Sequence, residues 1–175
     1  MKIETDRLII RYFAETDGPD LYEYLSKEDV VKYEPYRTYS YEEAVTEAGR
    51  RARDKSFYAV SLKTGKVIGN LYFSKGEFDT WEMGYVFNND FWGKGYAFES
   101  VKEMISHLFE NYGARRIIAM CNPLNERSWK LLERLGFRHE GTLLKNVYFF
   151  LDEAGNPMWQ DTYEYGILKE EWGND

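Results

Sequence analysis

A glycine turn before a predicted helix contains the residues of this sequence that are best suited to bind a ligand. Gly93 and Gly95 flank Lys94, and from Tyr96 onward apolar residues recur at the three-to-four-residue spacing of an amphipathic helix. The first amides of a helix have no partner within it and lie at the positive end of its dipole. Glycines let an anion approach the backbone, and Lys94 adds a positive charge. The stretch is therefore a candidate pyrophosphate-binding site.

Short glycine motifs are weak evidence, and this one has another interpretation. Glycine turns precede many helices that bind no ligand. The stretch lacks the Gly-Lys-Ser/Thr ending of a Walker loop, and no third glycine follows Gly95 through Glu99 and Ser100, as a Gly-x-Gly-x-x-Gly motif would need. The two commonest nucleotide-binding motifs are therefore excluded.

Two blocks of the sequence resemble the Rim-type branch of the GNAT superfamily of N-acetyltransferases, which includes ribosomal-protein N-terminal acetyltransferases. The first block, residues 91–97 with Glu99, resembles the coenzyme A loop. Its Trp92 is usual in this branch, where the wider superfamily often has Gln or Arg. The second block, residues 125–141, resembles the Asn-x-x-Ser and Leu-Gly-Phe-x-x-Glu-Gly signature. Residues 4–11 also resemble the branch's first strand, so the resemblance covers nearly the whole chain.

The resemblance implies that the chain uses acetyl-CoA as a cosubstrate. Amides of residues 93–97 are expected to hold the pyrophosphate. The backbone of residues 85–87 is expected to pair with the pantetheine arm like an added strand, and the Asn125 side chain to bond that arm from the other side. A place in a helix N-cap is the alternative role of Asn125. The residues expected to bind the cofactor are Tyr85, Val86, Phe87, Trp92, Gly93, Lys94, Gly95, Tyr96, Ala97, Asn125 and Ser128.

Acetyl transfer to an amine also needs groups that move protons and stabilise charge. An ammonium is not a nucleophile, so a base must take its proton. Glu82 is expected to be that base because it corresponds to the family's strand-borne glutamate, a solvent-facing or paired charge being its alternative role. An amide of Val86 or Phe87 is expected to stabilise the thioester oxygen. Many members of the superfamily protonate the departing thiolate with a Tyr, at the position that Leu132 occupies in this sequence. The Rim-type branch suggests Ser128 as the substitute. Helix capping is the alternative role of Ser128.

The resemblance implies that the amine acceptor binds between residues 26–39 and residues 151–158, which flank the cofactor opening in the family. Aromatic residues are candidates for the walls of this pocket, although core packing is the commoner role of any one of them. An acidic protein with aromatic walls favours a cationic amine through charge steering and cation–π contact. The candidate residues are Tyr33, Tyr36, Trp81 and Tyr148.

The hydrophobic pattern predicts about seven strands and about four helices. A short helix is expected around Leu21, a second from the capping box of Ser40 and Glu43 to about Lys55, a third from Tyr96 to Asn111 and a fourth over residues 128–135. The segment over residues 26–39 has no clear period and is interpreted as a loop or broken helix. Strands are expected over residues 7–12, 57–62, 66–73, 81–87, 116–121, 138–150 and 158–168.

This order of elements predicts an α/β fold with a mixed, mostly antiparallel central sheet, in a single domain over residues 1–175. The strands that begin at Trp81 and at Arg116 are joined by a helix, so they should be parallel neighbours through a right-handed crossover. The resemblance implies the GNAT fold, in which these two strands splay apart and the cofactor lies in the opening.

Composition limits the class of protein. The 175 residues are 43% hydrophobic and 18% aromatic, which predicts one globular domain. A net charge of −7 argues against nonspecific nucleic-acid binding and favours cationic partners. The single cysteine, Cys121, is expected to be a buried small hydrophobe, and two histidines and one cysteine give no legible metal site. Without an apolar run long enough for a membrane span, or a signal peptide, the expected location is the cytoplasm.

The sequence thus predicts an acetyl-CoA-dependent N-acetyltransferase that acts in a ternary complex without an acyl-enzyme. Its acceptor would be a protein N-terminus or a small amine such as a polyamine, amino acid or aminoglycoside. A noncatalytic acyl-CoA-binding regulatory module is the alternative, and an unrelated nucleotide-binding protein is a more distant one. The long final hairpin could supply an edge for a homodimer.

Overall fold

One mixed sheet forms the centre of the computed structural model, which describes residues 1–173. Within this range the sheet has eight strands: β1 (Lys2–Glu4), β2 (Leu8–Tyr12), β3 (Phe57–Leu62), β4 (Val67–Lys75), β5 (Thr80–Phe87), β6 (Arg116–Cys121), β7 (Arg138–Val147) and β8 (Gln160–Leu168). Their order across the sheet is β1-β2-β3-β4-β5-β6-β8-β7. Neighbouring strands are antiparallel except for β5 and β6, which are parallel. The predicted mixed, mostly antiparallel sheet is confirmed.

Five α-helices occur in the described part of the chain: α1 (Gly18–Leu25), α2 (Glu28–Val31), α3 (Tyr41–Arg53), α4 (Tyr96–Asn111) and α5 (Glu126–Arg134). The capping box of α3 is present, because the Ser40 amide donates to Glu43 at 2.7 Å and the Glu43 amide donates to Ser40 Oγ at 3.2 Å. Helix α2 was not among the four predicted helices. It lies within residues 26–39, which were interpreted as a loop or broken helix. The helix α5 begins two residues earlier than predicted.

Strand β1 is the eighth strand, which the hydrophobic pattern did not predict. Ile3 is its buried residue and pairs with Ile10 of β2. Three residues are too short for a period to be visible, and this strand forms because β2 offers it an edge.

Side chains on the two faces of the sheet pack against different helices. On one face, odd-numbered residues of β5 join a core with α4 and α5: Trp81, Met83, Phe87, Val101, Met104, Ile105, Leu108 and Leu132. On the other face, Val86 of β5 joins a core with α1 and α3: Leu21, Tyr24, Leu25 and Ala48. Because side chains alternate along a strand, Glu82 and Gly84 share the face of Val86.

The parallel strands β5 and β6 separate near their carboxyl ends. Pairing runs from Thr80 and Arg116 to Met83 and Ala119, whereas β5 continues to Phe87 and β6 to Cys121. The expected splayed pair is therefore present, with an opening beyond Met83. One edge of β5 at residues 84–87 still pairs with β4, so the other edge faces the opening.

The last two strands form a hairpin at the edge of the sheet. Its register shifts twice, between His139 and Gly141 and between Leu143 and Val147, and most residues of β7 are exposed. The strands are shorter than predicted at their inner ends, and residues 148–159 form a long connection. This hairpin flanks the opening between β5 and β6.

Candidate active site

A cleft of about 1830 Å³ lies at the opening between β5 and β6. All eleven residues predicted to bind the cofactor line it, and so does Glu82. Residues that are far apart in the chain therefore meet in one place, because the splayed strands, the turn before α4 and the start of α5 all border the same space.

The glycine turn has the geometry that its sequence predicts. Gly93 and Gly95 have φ angles of 74° and 80°, which other residues adopt only with strain. A Cβ atom at Gly93 would have no heavy atom within 4 Å, so the backbone there borders open space. No side chain caps the first turn of α4, and its amides have no partners inside the helix. The turn therefore presents unpartnered amides to the cleft, which suits an anion.

Arg7 holds this turn against the start of β2. Its Nη1 donates to the Lys94 carbonyl at 2.9 Å and its Nε donates to Glu99 at 2.6 Å. Thr5 also donates to Glu99, at 2.5 Å. Burial acts to raise the pKa of Glu99, but the hydrogen bonds from Thr5 and Arg7 hold it below its ordinary value. Glu99 is therefore a charged anchor of the turn. Its contacts with Thr5 and Arg7 explain why both Glu99 and residues 4–11 belong to the stretches that resemble the family.

The other end of the turn is fastened by Lys27. Its ammonium donates to Asn88, Asn89 and Asp90 at 2.8, 2.9 and 2.7 Å. Lys94, which was predicted to add charge beside the anion, is exposed and donates to the Asp90 carbonyl at 3.0 Å. The turn is thus fixed from both sides before any ligand binds.

The backbone of β5 offers hydrogen-bonding groups to the cleft at alternate residues. The Asn88 amide donates to Ile68 in the β4 segment at 2.9 Å. Because successive backbone groups of a strand point to opposite sides, the Val86 amide also points toward β4, and those of Tyr85 and Phe87 point into the opening. Of the two amides predicted to stabilise the thioester oxygen, this geometry favours Phe87. The Phe87 carbonyl already accepts a hydrogen bond from the Trp92 indole at 2.9 Å.

Ser128 meets the Tyr85 side chain across the opening. The Tyr85 hydroxyl donates to the Ser128 carbonyl at 3.0 Å and lies 3.1 Å from Ser128 Oγ. Burial raises the pKa of Tyr85, so the phenol stays protonated at neutral pH. The Asn125 Oδ1 accepts from the Ser128 amide at 3.4 Å as the N-cap of α5. The sequence interpretation assigned Tyr85 a backbone role and missed this side-chain contact.

Cys121 lies beside Ser128 and behaves as the sequence predicted. Its side chain is buried, with 9% of its surface exposed. Burial raises the pKa of the thiol to about 11, while a hydrogen bond with Ser128 acts to lower it. A thiol with this pKa is a poor nucleophile at neutral pH.

Glu82 and Glu34 are among the carboxylates that line the cleft. Glu82 is exposed, and within residues 1–173 its carboxylate has no hydrogen-bonding partner. Glu34, in the loop after α2, was not among the predicted residues. Burial raises its pKa to about 7, although the Tyr36 hydroxyl and Arg51 act to lower it. The environment of Glu34 could not be predicted from the sequence, because the loop has no hydrophobic period.

Basic residues of α5 form another part of the site that sequence reasoning missed. Arg127, Lys130 and Arg134 line the cleft. The Arg127 guanidinium lies 3.9 Å from the ring centre of Trp92, and that of Arg134 lies 5.0 Å from the ring centre of Phe98. Their spacing of three and four residues places all three on one helix face, a signal that was visible in the sequence.

Of the four residues predicted to form the acceptor wall, two line the cleft and two do not. Tyr33 and Tyr36 line the cleft. Trp81 does not, because its side chain points to the α4 face, is 8% exposed and packs against Tyr112 with ring centres 5.8 Å apart. Tyr148 is outside the lining and packs edge-on against Trp159. The hairpin borders the cleft through residues 146, 147, 149 and 160–162 rather than through 151–158.

Two structural features are absent from residues 1–173. No helix in that range is long and apolar enough to cross a membrane. In the same residues no group of three or more His, Cys, Asp and Glu side chains is arranged to hold a metal ion.

Comparison with known proteins agrees with this geometry. The acetyltransferase (GNAT) domain model matches residues 7–138. An uncharacterized N-acetyltransferase of Bacillus subtilis, YnaD, is 36% identical over 98% of this chain and 99% of its own length. The ribosomal protein uS5-alanine N-acetyltransferase of Escherichia coli is 27% identical over 98% of this chain and 93% of its own. A crystal structure of a GNAT-family acetyltransferase from Bacillus anthracis is 34% identical, covers 98% of this chain and 100% of that one, and has a TM-score of 0.88.

The predicted resemblance to the Rim-type branch is confirmed, since the relatives include an alanine N-acetyltransferase of a ribosomal protein. The family match covers most of the chain and includes the turn, the splayed strands and the start of α5. This protein therefore belongs to the GNAT family of acetyltransferases and is an acyltransferase enzyme.

Proposed function

We propose that this protein is an acetyl-CoA-dependent N-acetyltransferase in which an amine attacks the thioester directly, within a ternary complex. The observation that carries the proposal is that one cleft contains both the glycine turn before α4 and several carboxylates, among them Glu34 and Glu82. The turn suits a pyrophosphate, and the carboxylates suit an ammonium. Cys121 offers no site for an acyl-enzyme, because its thiol is buried and its pKa is raised.

The cofactor side of the cleft provides groups for each part of acetyl-CoA, whose thioester supplies the activated acetyl group. The amides of residues 93–97 hold the pyrophosphate, and Arg127 and Arg134 add positive charge beside it. The outward edge of β5 at Tyr85 and the Asn125 side chain hold the pantetheine arm. The Phe87 amide, which points into the opening, stabilises the negative charge that develops on the thioester oxygen.

Ser128 and Tyr85 serve the leaving thiolate. Their hydroxyl groups lie 3.1 Å apart, so one orients the other toward the opening. A thiol has an ordinary pKa of about 8.5, so hydrogen bonds that stabilise the thiolate are enough for it to leave. Glu82, on the strand that borders the opening, is the base that the family resemblance implies.

The acceptor enters from the side of Tyr33 and Tyr36. It is a primary amine, carried by a protein N-terminus or by a small molecule. The uS5-alanine N-acetyltransferase among the relatives makes an N-terminal alanine the first acceptor to test. The exposed β7 edge provides a surface through which two copies could pair as a homodimer, and a single domain acting in the cytoplasm fits these substrates.

Thiol release from acetyl-CoA tests the proposed function. The protein is mixed with a panel of small amines and N-terminal peptides, and free thiol is measured against a sample without acceptor. Release that depends on the acceptor, with the acetylated amine identified by mass spectrometry, is the expected result. Tight coenzyme A binding with no release from any acceptor would instead support a noncatalytic acyl-CoA-binding module, and preference for ATP over coenzyme A would contradict both.

A further inference from the structure

The loop between α2 and α3 crosses the acceptor side of the cleft and is held there at three points. The Tyr33 hydroxyl donates to the Leu124 carbonyl, just before α5, at 3.0 Å. The Arg37 guanidinium lies 4.5 Å from the ring centre of Phe150 in the last hairpin. The Glu34 amide donates to the Val31 carbonyl at 2.9 Å. The loop is thus fixed to both walls of the cleft, and Glu34 lies in its middle.

Glu34 sits over a buried polar cluster. Arg51 of α3 is 2% exposed and donates to Glu47 at 2.7 Å and to Asn70 at 3.0 Å. The Tyr24 hydroxyl also donates to Asn70, at 2.9 Å. Asn70 pairs with Val86 of β5, so this cluster lies one strand away from the opening. Its hydrogen bonds fix Arg51 in place, and Glu34 rests on a rigid base.

Four ionisable groups surround the Glu34 carboxylate. Tyr36 of its own loop is within hydrogen-bonding reach, and Arg51 acts on it from α3. From β5, Tyr85 is close enough for Glu34 to affect its pKa, and Glu82 lines the same cleft. Tyr85 in turn contacts Ser128.

We propose that Glu34 is the base that takes the proton from the acceptor's ammonium. This inference rests on the proposed function and replaces Glu82 in the role that the family resemblance implies. The N–H bond of the ammonium breaks, its proton passes to a carboxylate oxygen of Glu34, and the electron pair stays on nitrogen. That pair then forms the new N–C bond to the acetyl carbon, and the C–S bond breaks with its electron pair passing to sulfur. The thiolate takes the second proton that the nitrogen loses, which leaves a neutral amide and a free thiol.

The face of β5 beneath Glu34 has room for the amine. Gly84 carries no side chain between Glu82 and Val86, and a Cβ atom there would have as its nearest neighbour the Tyr72 Cβ at 3.9 Å. An amine above Gly84 lies next to the edge of β5 that faces the opening. Glu34 and Gly84 line the same cleft, and Glu34 is less exposed than Glu82.

The environment of Glu34 also suits the chemistry. A base works best when its pKa lies near the operating pH. Burial raises the pKa of Glu34 to about 7, against the lowering influence of Tyr36 and Arg51. Glu34 is therefore half ionised near neutral pH, which makes it both available as a base and strong enough to act.

The matched variants Glu34→Gln and Glu82→Gln test the inference, because both remove one carboxylate from the same cleft. We expect Glu34→Gln to lower kcat by about 100-fold or more and to abolish the rise in rate with pH near about pH 7. Its dissociation constant for acetyl-CoA should stay within about twofold of the wild type. Glu82→Gln, which removes another carboxylate of the cleft, should keep the rise in rate with pH near about pH 7, whatever its effect on the rate itself.

Acceptors of different basicity separate proton transfer from a positioning role. The loss caused by Glu34→Gln should be largest for an acceptor with a lysine-like amine pKa near 10.4, and should shrink for an amine that is already neutral at the assay pH. Glu34→Asp should retain the pH dependence at a lower rate. A loss that is equal for both amines would contradict the proposal and leave Glu34 a positioning residue.

A measurement of folding stability provides a readout independent of catalysis. The folded-state pKa of Glu34 lies above its unfolded value, so ionising it opposes folding as pH rises from about 4.3 to about 7. The denaturation midpoint of Glu34→Gln should therefore rise relative to that of the wild type as the pH is raised from about 5 to about 8. No such gain would contradict the environment on which the proposal rests. Absence of thiol release by the wild type, with this gain present, would overturn the proposed function and the base assignment together.

Discussion

The two ends of the cleft have opposite charge. At the α4 and α5 end lie the free amides of residues 93–97 with Lys94, Arg127, Lys130 and Arg134. At the other end lie Glu34 and Glu82, and Arg51, which acts on Glu34, is paired with Glu47. The first end suits a cosubstrate with several phosphates, and the second suits an ammonium.

This difference shows why net charge describes the chain poorly. The total of −7 predicts attraction of cations, yet a polyanionic cosubstrate needs a positive surface. In the proposed function, separating the charges along one cleft meets both needs and brings the two substrates together where β5 and β6 diverge. Variants that alter one end, the connection between the ends, or neither end should therefore have different kinetic signatures.

Gly93→Ala should break the cofactor end while leaving the acceptor end intact. The new methyl group is strained by the positive φ angle and projects into the space beside the amides. We expect the dissociation constant for acetyl-CoA to rise by about tenfold or more, measured by isothermal titration calorimetry. Gly113→Ala is the control, since Gly113 also has a positive φ of 65° and open space but lies outside the cleft. Equal binding by both variants would contradict the assignment of the turn.

Tyr85→Phe should weaken the connection between the two ends. It removes the hydroxyl that contacts Ser128 and keeps the ring. We expect kcat to fall by about fivefold with KM nearly unchanged, because the contact serves the leaving group. In a double-mutant cycle, Ser128→Ala should add little further loss. Additive effects would show that the two hydroxyl groups act separately.

Arg127→Ala should reduce the positive charge of the cofactor end by one unit. Because the side chain is exposed, the expected loss of acetyl-CoA affinity is modest, about threefold at low salt, and it should shrink as salt is added. The matched control is Arg53→Ala, an exposed arginine outside the cleft lining. A loss that does not depend on salt would point to the packing of Arg127 on Trp92 instead of its charge.

Trp81→Phe should leave both ends unchanged. The Trp81 indole lies in the core, and its Nε1 is a buried donor without a partner. We expect kcat/KM to stay within about twofold for every acceptor, while stability changes by about 1 kcal/mol or less because the cost of the smaller ring is offset by the loss of this donor. A loss of kcat/KM for only one class of amine would show that Trp81 contributes to the acceptor pocket.

Local patterns were enough to predict the backbone geometry at the α4 and α5 end of the cleft. Gly93 and Gly95 adopt positive φ angles, and Asn125 precedes the first turn of α5, so this geometry follows from neighbours in the chain. The splayed strands were predicted because a helix joins them and because the two sequence blocks match a known family. The capping box at Ser40 was likewise complete within four residues.

The acceptor end could not be predicted in the same way, because its residues are positioned by distant contacts. Glu34 reaches the cleft only because Tyr33 contacts Leu124 and Arg51 lies beneath the loop. Trp81 was assigned to the wrong face because β5 is covered on both sides, so its residues show no clean alternation that fixes direction. The hairpin borders the cleft with its strand ends because two register shifts bend β7.

Initial rates measured with acetyl-CoA and an amine varied together test most directly whether both substrates occupy the two ends of the cleft at once. Direct transfer in a ternary complex predicts double-reciprocal plots that intersect, with no acetylated protein detectable by mass spectrometry before the amine is added. Parallel plots, together with an acetyl group attached to the chain, would contradict the account, because they would require an acyl-enzyme and successive occupation of the cleft.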